Sequence, residues 1–366
     1  MNLVLKYAVC VLLSMQTILF DDGRILAIEV TTCEASRPAG EPLRNPAIKL
    51  RNGVNLPALA LGTAHVLLEE PEELPRFMGF LPEKTYRQIQ QALEAGIRSF
   101  ELGRMYRSHR PMGHVLGEWF RLGHLERNDV FLTTKVFHGN ATRFGTKNSH
   151  MHNLEYLSPE RVTTDVTKEV EEALVDLGIG YIDLLLLHWP ASALGNDVPA
   201  NLEENRKRRL AAWRVLEDMY EKGWLRAIGV SNFSEEHLKQ LQEDGARIVP
   251  MVNQIEASLS VEYPRIVNYC KEHGIVLQAF SPLMRGDMSD KINEVAKKYD
   301  KTLAQISLRY LYQKGYSSAY LSTNLERMIS NFMIFDFEIA EDDMRLLSEM
   351  PTESGNWGLP TPYDVV

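Results

Sequence analysis

The stretch Tyr181-Ile182-Asp183-Leu184-Leu185-Leu186-Leu187-His188-Trp189-Pro190 decides how this chain folds: it is a short apolar run that stops abruptly on a histidine. Similar runs lie at residues 58 to 62, 97 to 101, 129 to 134, 225 to 230, 249 to 254, 275 to 280 and 317 to 321, which makes eight in all. Helical patterns follow them, as at residues 158 to 177, where Ser158 caps, Pro159 suits the first turn, and Val162, Val166, Val170 and Leu174 recur every four residues. Alternation of strand and helix marks βαβ units and a parallel sheet. Eight strands in strict alternation favour closure into a (β/α)8 barrel of the α/β class over an open sheet. Ahead of the first run, Ile48-Lys49-Leu50 and Val54-Asn55-Leu56 flank Asn52-Gly53, which predicts a hairpin with a tight primed turn, closing the bottom of the barrel.

A barrel of this kind places its chemistry at the C-terminal ends of its strands. Here those ends carry Glu101, Lys135, His188, Ser231 with Asn232, Gln254, Ser281 and Ser322. One or two such residues would pass as caps, but a whole ring of them points to a functional mouth. The long connections 64 to 82, 137 to 157 and 190 to 205 follow strands and therefore fall on the same face. Lys135, after Val130-Phe131-Leu132-Thr133-Thr134, is expected to be nearly buried and to need a carboxylate, which Glu101 one strand away supplies. A tyrosine beside that ammonium would have its pKa drawn down toward working pH, and Tyr106, five residues past Glu101, is the candidate. His188, on the far side of Lys135, would donate a hydrogen bond to a substrate oxygen and orient it. Taken singly, Tyr106 also reads as a core ring and His188 as a satisfied barrel histidine.

Composition excludes several other classes. With 366 residues, 45% hydrophobic and 24% charged, the chain reads as globular rather than disordered or collagen-like. Its formal net charge is -9, and the one basic run, Arg206-Lys207-Arg208-Arg209, reads as a solvated helix start, so nucleic acid is not an expected partner. Cys10, Cys33 and Cys270 make no disulfide framework, and no CxxC or His-Glu-x-x-His spacing suggests a metal; Cys270 reads as a small core residue on a helix. A hydrolase would require two facing carboxylates or a metal at the mouth, and Glu101, the carboxylate present, is committed to Lys135.

The chain divides into an extension over residues 1 to 46, the barrel over 47 to 350 and an irregular tail over 351 to 366. Within the extension, the apolar stretch 7 to 20 follows Lys6 and is too short for a membrane span, but it has the length of a signal peptide's apolar region. Ser14, Gln16 and Thr17 dilute it, Asp21 and Asp22 follow at once, and the best cleavage pattern, Cys33-Glu34-Ala35, is far downstream. Entry into a secretory pathway or organelle thus stands beside a cytoplasmic location. Asn140-Ala141-Thr142 and Asn232-Phe233-Ser234 both read as glycosylation sequons, and a glycan on the second would block the mouth, which weighs against a glycosylating compartment.

Together these motifs resemble the aldo-keto reductase family from about residue 47 to residue 350. Ala95-Gly96-Ile97-Arg98-Ser99-Phe100-Glu101 through Tyr106 is similar to the family's second-strand signature, and Tyr181-Ile182-Asp183 through His188-Trp189-Pro190 is closer still. Ala227-Ile228-Gly229-Val230-Ser231-Asn232-Phe233 and Val252-Asn253-Gln254 match the segments that hold the nicotinamide carboxamide. Phe280-Ser281-Pro282-Leu283 resembles the family's stacking aromatic and phosphate loop, and Ser322-Thr323-Asn324-Leu325-Glu326-Arg327 its adenosine-phosphate segment. The resemblance implies an oxidoreductase of the alcohol dehydrogenase (NADP+) class that reduces a small-molecule aldehyde or ketone. It implies Tyr106 as general acid, Lys135 and Glu101 as the groups that tune it, and His188 as the group that orients the carbonyl. It further implies NADP held by Ser231, Asn232, Gln254, Phe280, Ser281, Leu283, Ser322, Arg327 and Asn331, with Trp189 facing the substrate. Other substrate contacts are expected from the four variable segments 64 to 82, 137 to 157, 190 to 205 and 351 to 366. A monomer is the corresponding expectation, and such a barrel needs no GxGxxG loop.

Several positions depart from the family pattern. Glu101 stands where aspartate is usual, one methylene longer. Leu102 and Gly103 replace small residues beside it. Arg107-Ser108-His109 occupies the place of a glycine, a small polar residue and an acid. Leu321 takes the place of the lysine that NADP-using members carry, which admits NAD, while Arg327 remains to pair with a 2′-phosphate; Ser330 replaces a frequent acid and Asn331 is kept. These changes leave two functional readings open: a carbonyl reductase, or a nicotinamide-binding relative with little turnover that serves as a sensor or partner subunit.

Overall fold

The computed structural model describes residues 14–19, 25–30, 40–64, 82–137, 158–190, 202–283, 290–349 and 361–363. Two antiparallel pairs precede the main sheet: β1 (Ser14–Leu19) with β2 (Ile25–Val30), and β3 (Ala47–Lys49) with β4 (Asn55–Pro57). Eight strands then form the barrel: β5 (Leu59–Gly62), β6 (Ser99–Glu101), β7 (Phe131–Val136), β8 (Leu184–Leu187), β9 (Ile228–Ser231), β10 (Val252–Glu256), β11 (Val276–Phe280) and β12 (Ser317–Leu321). Each pairs in parallel with its neighbour in sequence, and β12 returns to β5 to close the ring. The helices are α1 (Pro82–Glu94), α2 (His109–Arg121), α3 (Pro159–Leu177), α4 (Leu202–Glu221), α5 (Glu235–Glu243), α6 (Pro264–Glu272), α7 (Asp290–Tyr299), α8 (Leu303–Gln313), α9 (Leu325–Phe332) and α10 (Glu341–Ser348). The (β/α)8 reading of the sequence is therefore correct.

Helix α3 shows how local sequence sets these elements. Ser158 accepts from the Arg161 amide, Pro159 opens the helix where no intrahelical donor is needed, and Gly178 at φ 61° ends it. Val162, Val166 and Val170 are buried and Leu174 is half-buried, so the fourfold spacing marks the face turned to the core, which Ala173 and Leu177 complete.

The hairpin is present, but its turn is not the primed one expected. Gly53 N donates to Leu50 O and Leu50 N to Val54 O, so the loop holds three residues, and Gly53 alone among them has a positive φ, 88°. Asn52 is used otherwise: its Oδ1 accepts from Val54 N and its Nδ2 donates to Arg226 O, which ties the loop to the barrel. The basic run also needs correction. Arg208 and Arg209 are buried, and Arg209 donates from Nε to Pro190 O and from Nη1 to Gln240 Oε1, each at 2.8 Å. Burial lowers the Arg209 pKa to about 10. A solvated face would have left these donors in water; here one of them fixes the loop just past His188.

Inside the barrel a polar chain runs across strands. Gln254 Nε2 donates to Gln278 Oε1 at 2.7 Å, Gln278 Nε2 to Ser317 Oγ at 3.1 Å, and Ser317 Oγ to Pro57 O at 2.9 Å. Each of these buried donors has a partner, so the chain adds specificity without an orphaned donor. A cavity of about 700 Å³ opens at the opposite end from the polar strand ends, between Gly40–Leu43 backbone, Arg98, His124, Asp129 and Arg226; none of the predicted site residues lines it.

Of the sequence expectations, the apolar stretch 7 to 20 apart from 14–19, Cys10, Cys33, the Cys33-Glu34-Ala35 pattern and the Asn140 sequon lie outside the described residues, as do most of the variable loops and tail. Cys270 is buried on α6. Among the described residues no helix is long and apolar enough to cross a membrane.

Candidate active site

Strand β6 ends on Glu101, and the chain then turns through a short 3-10 helix, Arg104–Tyr106, that aims the tyrosine back at the mouth. Gly103 makes this possible, because a Cβ there would lie 3.0 Å from two carbons of the Tyr106 ring. Arg107 closes the turn in the left-handed region at φ 51°. A side chain there is strained by about 1 kcal/mol or more, offset in part by the chain entropy glycine would lose, so Arg107→Gly is expected to raise stability by up to about 1 kcal/mol in chemical denaturation.

Lys135 points inward from β7 and is 1% exposed. Its ammonium has three protons and finds three acceptors: it is ion-paired with Glu101, donates to Tyr106 Oη at 3.2 Å and reaches Leu102 O at 3.4 Å. Gly62 is paired with Glu101 across β5 and β6, and a Cβ there would touch Glu101 Oε2 at 3.4 Å, so the longer carboxylate lies directly beside this strand. His188 follows β8, held by its own N donating to Val136 O and its carbonyl accepting from Asn232 Nδ2 at 3.0 Å. Its ring lies 6.1 Å from that of Tyr106 at 89°, and 6.5 Å from Trp189 at 27°.

The electrostatics correct one expectation. Tyr106 was expected to have its pKa drawn down by Lys135; instead burial pushes it well above the ordinary tyrosine value. Because Glu101 contacts the same ammonium, the field of the pair at Tyr106 largely cancels, and the penalty on a buried phenolate prevails. Burial draws Lys135 well below the usual lysine range, and burial with the nearby Lys135 charge does the same to His188 relative to an ordinary histidine. A protonated phenol and a neutral imidazole thus face one point beside the ammonium.

The remaining predicted residues lie at the ends of the next four strands, in the turns that follow them, or on α9. Ser231 Oγ donates to Gln254 O at 2.9 Å, and Asn232, at φ 62°, donates from Nδ2 to His188 O and to Ser231 Oγ. Phe280 and Leu283 are half-buried around Ser281, which takes φ 52°. Ser322 is buried and exchanges hydrogen bonds with the Asn324 backbone. Asn324 caps α9 through Arg327 N, leaving the Arg327 side chain exposed; Asn331 is buried. Leu321 is 40% exposed at the end of β12. Strands β6 to β8 and the segments after them therefore carry Glu101, Tyr106, Lys135 and His188, while β9 to β12 and the segments after them carry the other set. The sequence reading overlooked Gly62, Gln278 and Glu169. For Glu169 a signal existed: it shares the helix face of Val166, Val170 and Ala173.

The aldo/keto reductase family model matches residues 58–351. The chain is 31% identical over 299 residues to a glyoxal reductase of Bacillus subtilis, covering 81% of this chain and 90% of that one. It is 31% identical over 317 residues to aldose reductase C of Dictyostelium discoideum, with coverage of 82% and 88%. Among solved structures, a Bombyx mori aldo-keto reductase in complex with NADP superposes with a TM-score of 0.67 at 27% identity, over 85% of this chain and 93% of that one.

Proposed function

The chain belongs to the aldo/keto reductase family, and we propose that it reduces an aldehyde or ketone to the alcohol with NADP(H), Tyr106 delivering the proton. The observation that carries this reading is the Lys135 ammonium joined at once to Glu101 and to the Tyr106 hydroxyl, with the His188 ring edge-on beside them. The donor set also fits a nicotinamide: Asn232 and Gln254 spend their amide nitrogens on protein acceptors, which leaves carbonyl oxygens to accept from a carboxamide. The reduced cofactor supplies the hydride to the carbonyl carbon.

The chain's own residues do the rest. His188, neutral at working pH, donates to the carbonyl oxygen and orients it. Tyr106 keeps its proton until charge develops on that oxygen, then transfers it, and the Lys135 hydrogen bond stabilises the phenolate left behind. Lys135, made readier to release a proton by burial, stands 3.2 Å from that phenolate and can return one. Trp189 would line the substrate side. We assign the activity to the alcohol dehydrogenase (NADP+) class and the working unit to residues 47 to 350, acting as a monomer. Stopped-flow absorbance at the reduced-nicotinamide band with a panel of aldehydes tests the reading. Oxidation in a single turnover supports it, whereas cofactor binding without oxidation would favour a sensor or partner subunit.

For the cofactor, Ser231, Asn232 and Gln254 would hold the carboxamide, Phe280 would stack, Ser281 and Leu283 would lie along the phosphates, and Ser322, Arg327 and Asn331 would serve the adenosine end. The Arg327 side chain is exposed and would be available to a 2′-phosphate, while Leu321 offers no charge. Leu321→Lys is therefore expected to tighten NADPH relative to NADH by roughly tenfold, allowing for solvent exposure. Fluorescence-quenching titrations with both cofactors measure it.

A further inference from the structure

Resting on the reductase reading, we propose that Glu169 is a positioning residue that locks Tyr106 and Lys135 into one frame. Its carboxylate, on α3, reaches both arms of the pair. Oε2 accepts from Phe137 N at 3.1 Å, two residues past Lys135 at the end of β7. Oε1 lies 3.6 Å from Arg104 Nε, two residues before Tyr106 in the 3-10 helix. Arg104 is held from the other side by Glu172 Oε2, 2.5 Å from Nη1. The tyrosine stands on a short turn containing a glycine and a left-handed arginine, so it has little rigidity of its own. Anchoring the turn to the helix that also grips the end of β7 fixes the Tyr106–Lys135 separation against a common support.

The charges that reach Glu169 are those of Arg104, which favours its ionised form, and of Glu172 and Asp165, which oppose it. Lys168 is paired with Glu172. On α2, His109 is bonded to Thr134 Oγ1 and stays neutral down to about pH 4, and Arg110 is paired with Asp176. On α4, Arg208 is paired with Glu204 and Arg209 is spent on Pro190 and Gln240. Burial is the largest influence and raises the Glu169 pKa to about 7. Below that pH the group is neutral: it can still accept from Phe137 N but no longer attracts Arg104. The grip on the tyrosine turn therefore loosens as pH falls through about 7.

The test compares E169Q, which keeps size and the Phe137 acceptor, with E169D and with R104M, whose altered side chain is 37% exposed in the parent and so spares the core. For E169Q and R104M, kcat is expected to fall roughly tenfold with NADPH affinity unchanged, as suits a sub-ångström displacement of the donor. The parent's kcat should decline on acidification with an inflection near 7; E169Q should lose that inflection and E169D should keep it. A reporter independent of turnover is 4-fluorophenylalanine at position 106, which has no ionisable proton. Its fluorine resonance should titrate near 7 when the rest of the chain is unaltered and should show no such titration when E169Q is added. Parent and variant curves that superpose, or R104M with unaltered kcat, would overturn the proposal. A fluorine resonance that titrates near 7 in the labelled chain, with a parent that reduces no carbonyl, would overturn the reductase reading instead.

Discussion

Lys135→Met is expected to lower the unfolding free energy by about 3–5 kcal/mol, because it leaves the Glu101 carboxylate buried without its cation. The lysine is 1% exposed and Glu101 5% exposed, so solvent cannot repair the loss. Replacing both members, as Lys135→Met with Glu101→Leu, removes the stranded charge, and most of the stability should return, since a buried ion pair and an apolar pair of similar volume are often close in free energy. Urea denaturation followed by tryptophan fluorescence measures all three proteins. A single variant as stable as the parent would mean that Glu101 is neutral in the folded state or that the pair is not formed. The restored double variant should be stable and inactive, which separates the role of the pair in folding from its role at the mouth.

Tyr106→Phe is expected to lower kcat by about 10²–10⁴-fold, the usual contribution of a positioned general acid, while NADPH binds as before. Because burial holds the phenol well above the ordinary tyrosine value, the donor stays loaded through neutral and moderately alkaline pH. Reduction should therefore show no alkaline loss near neutrality. Alcohol oxidation, which needs the phenolate, should rise toward high pH instead. Steady-state rates in both directions across pH check this, and a reductive rate that falls as pH rises through about 8 would conflict with a strongly raised Tyr106.

Much of this arrangement is legible in the sequence alone. The strands can be read because each is a short apolar run, and the mouth because those runs end on polar residues. What misleads are groups whose surroundings are made by other elements. The run at 129 to 134 stops at its last apolar-flanked position, yet β7 continues through Lys135 to Val136, because an inward lysine is stable there once Glu101 from β6 meets it. Asn52-Gly53 suggests a primed turn, but the Asn52 side chain is claimed by Arg226 O and Val54 N, and a three-residue loop results. Arg209 reads as surface charge until the loop past His188 presents the Pro190 carbonyl to it.

The site shows the same division. The nearness of Glu101, Lys135, Tyr106 and His188 follows from strand order alone. The direction of the Tyr106 shift does not, because it depends on how completely Glu101 neutralises the lysine at contact distance. Glu169 stands on a helix outside every recognised motif, and its two partners belong to segments distant in sequence.

At the centre of this account, the mouth passes a hydride to a carbonyl carbon while Tyr106 protonates its oxygen. Single turnover with NADPH deuterated stereospecifically at C4 of the nicotinamide, followed by mass spectrometry of the product, tests it most directly. The expected result is one deuterium on the carbinol carbon of the alcohol in the parent protein and a large loss of that product in Tyr106→Phe. Cofactor oxidation with no deuterium in the alcohol, or equal transfer by the Tyr106→Phe variant, would contradict it.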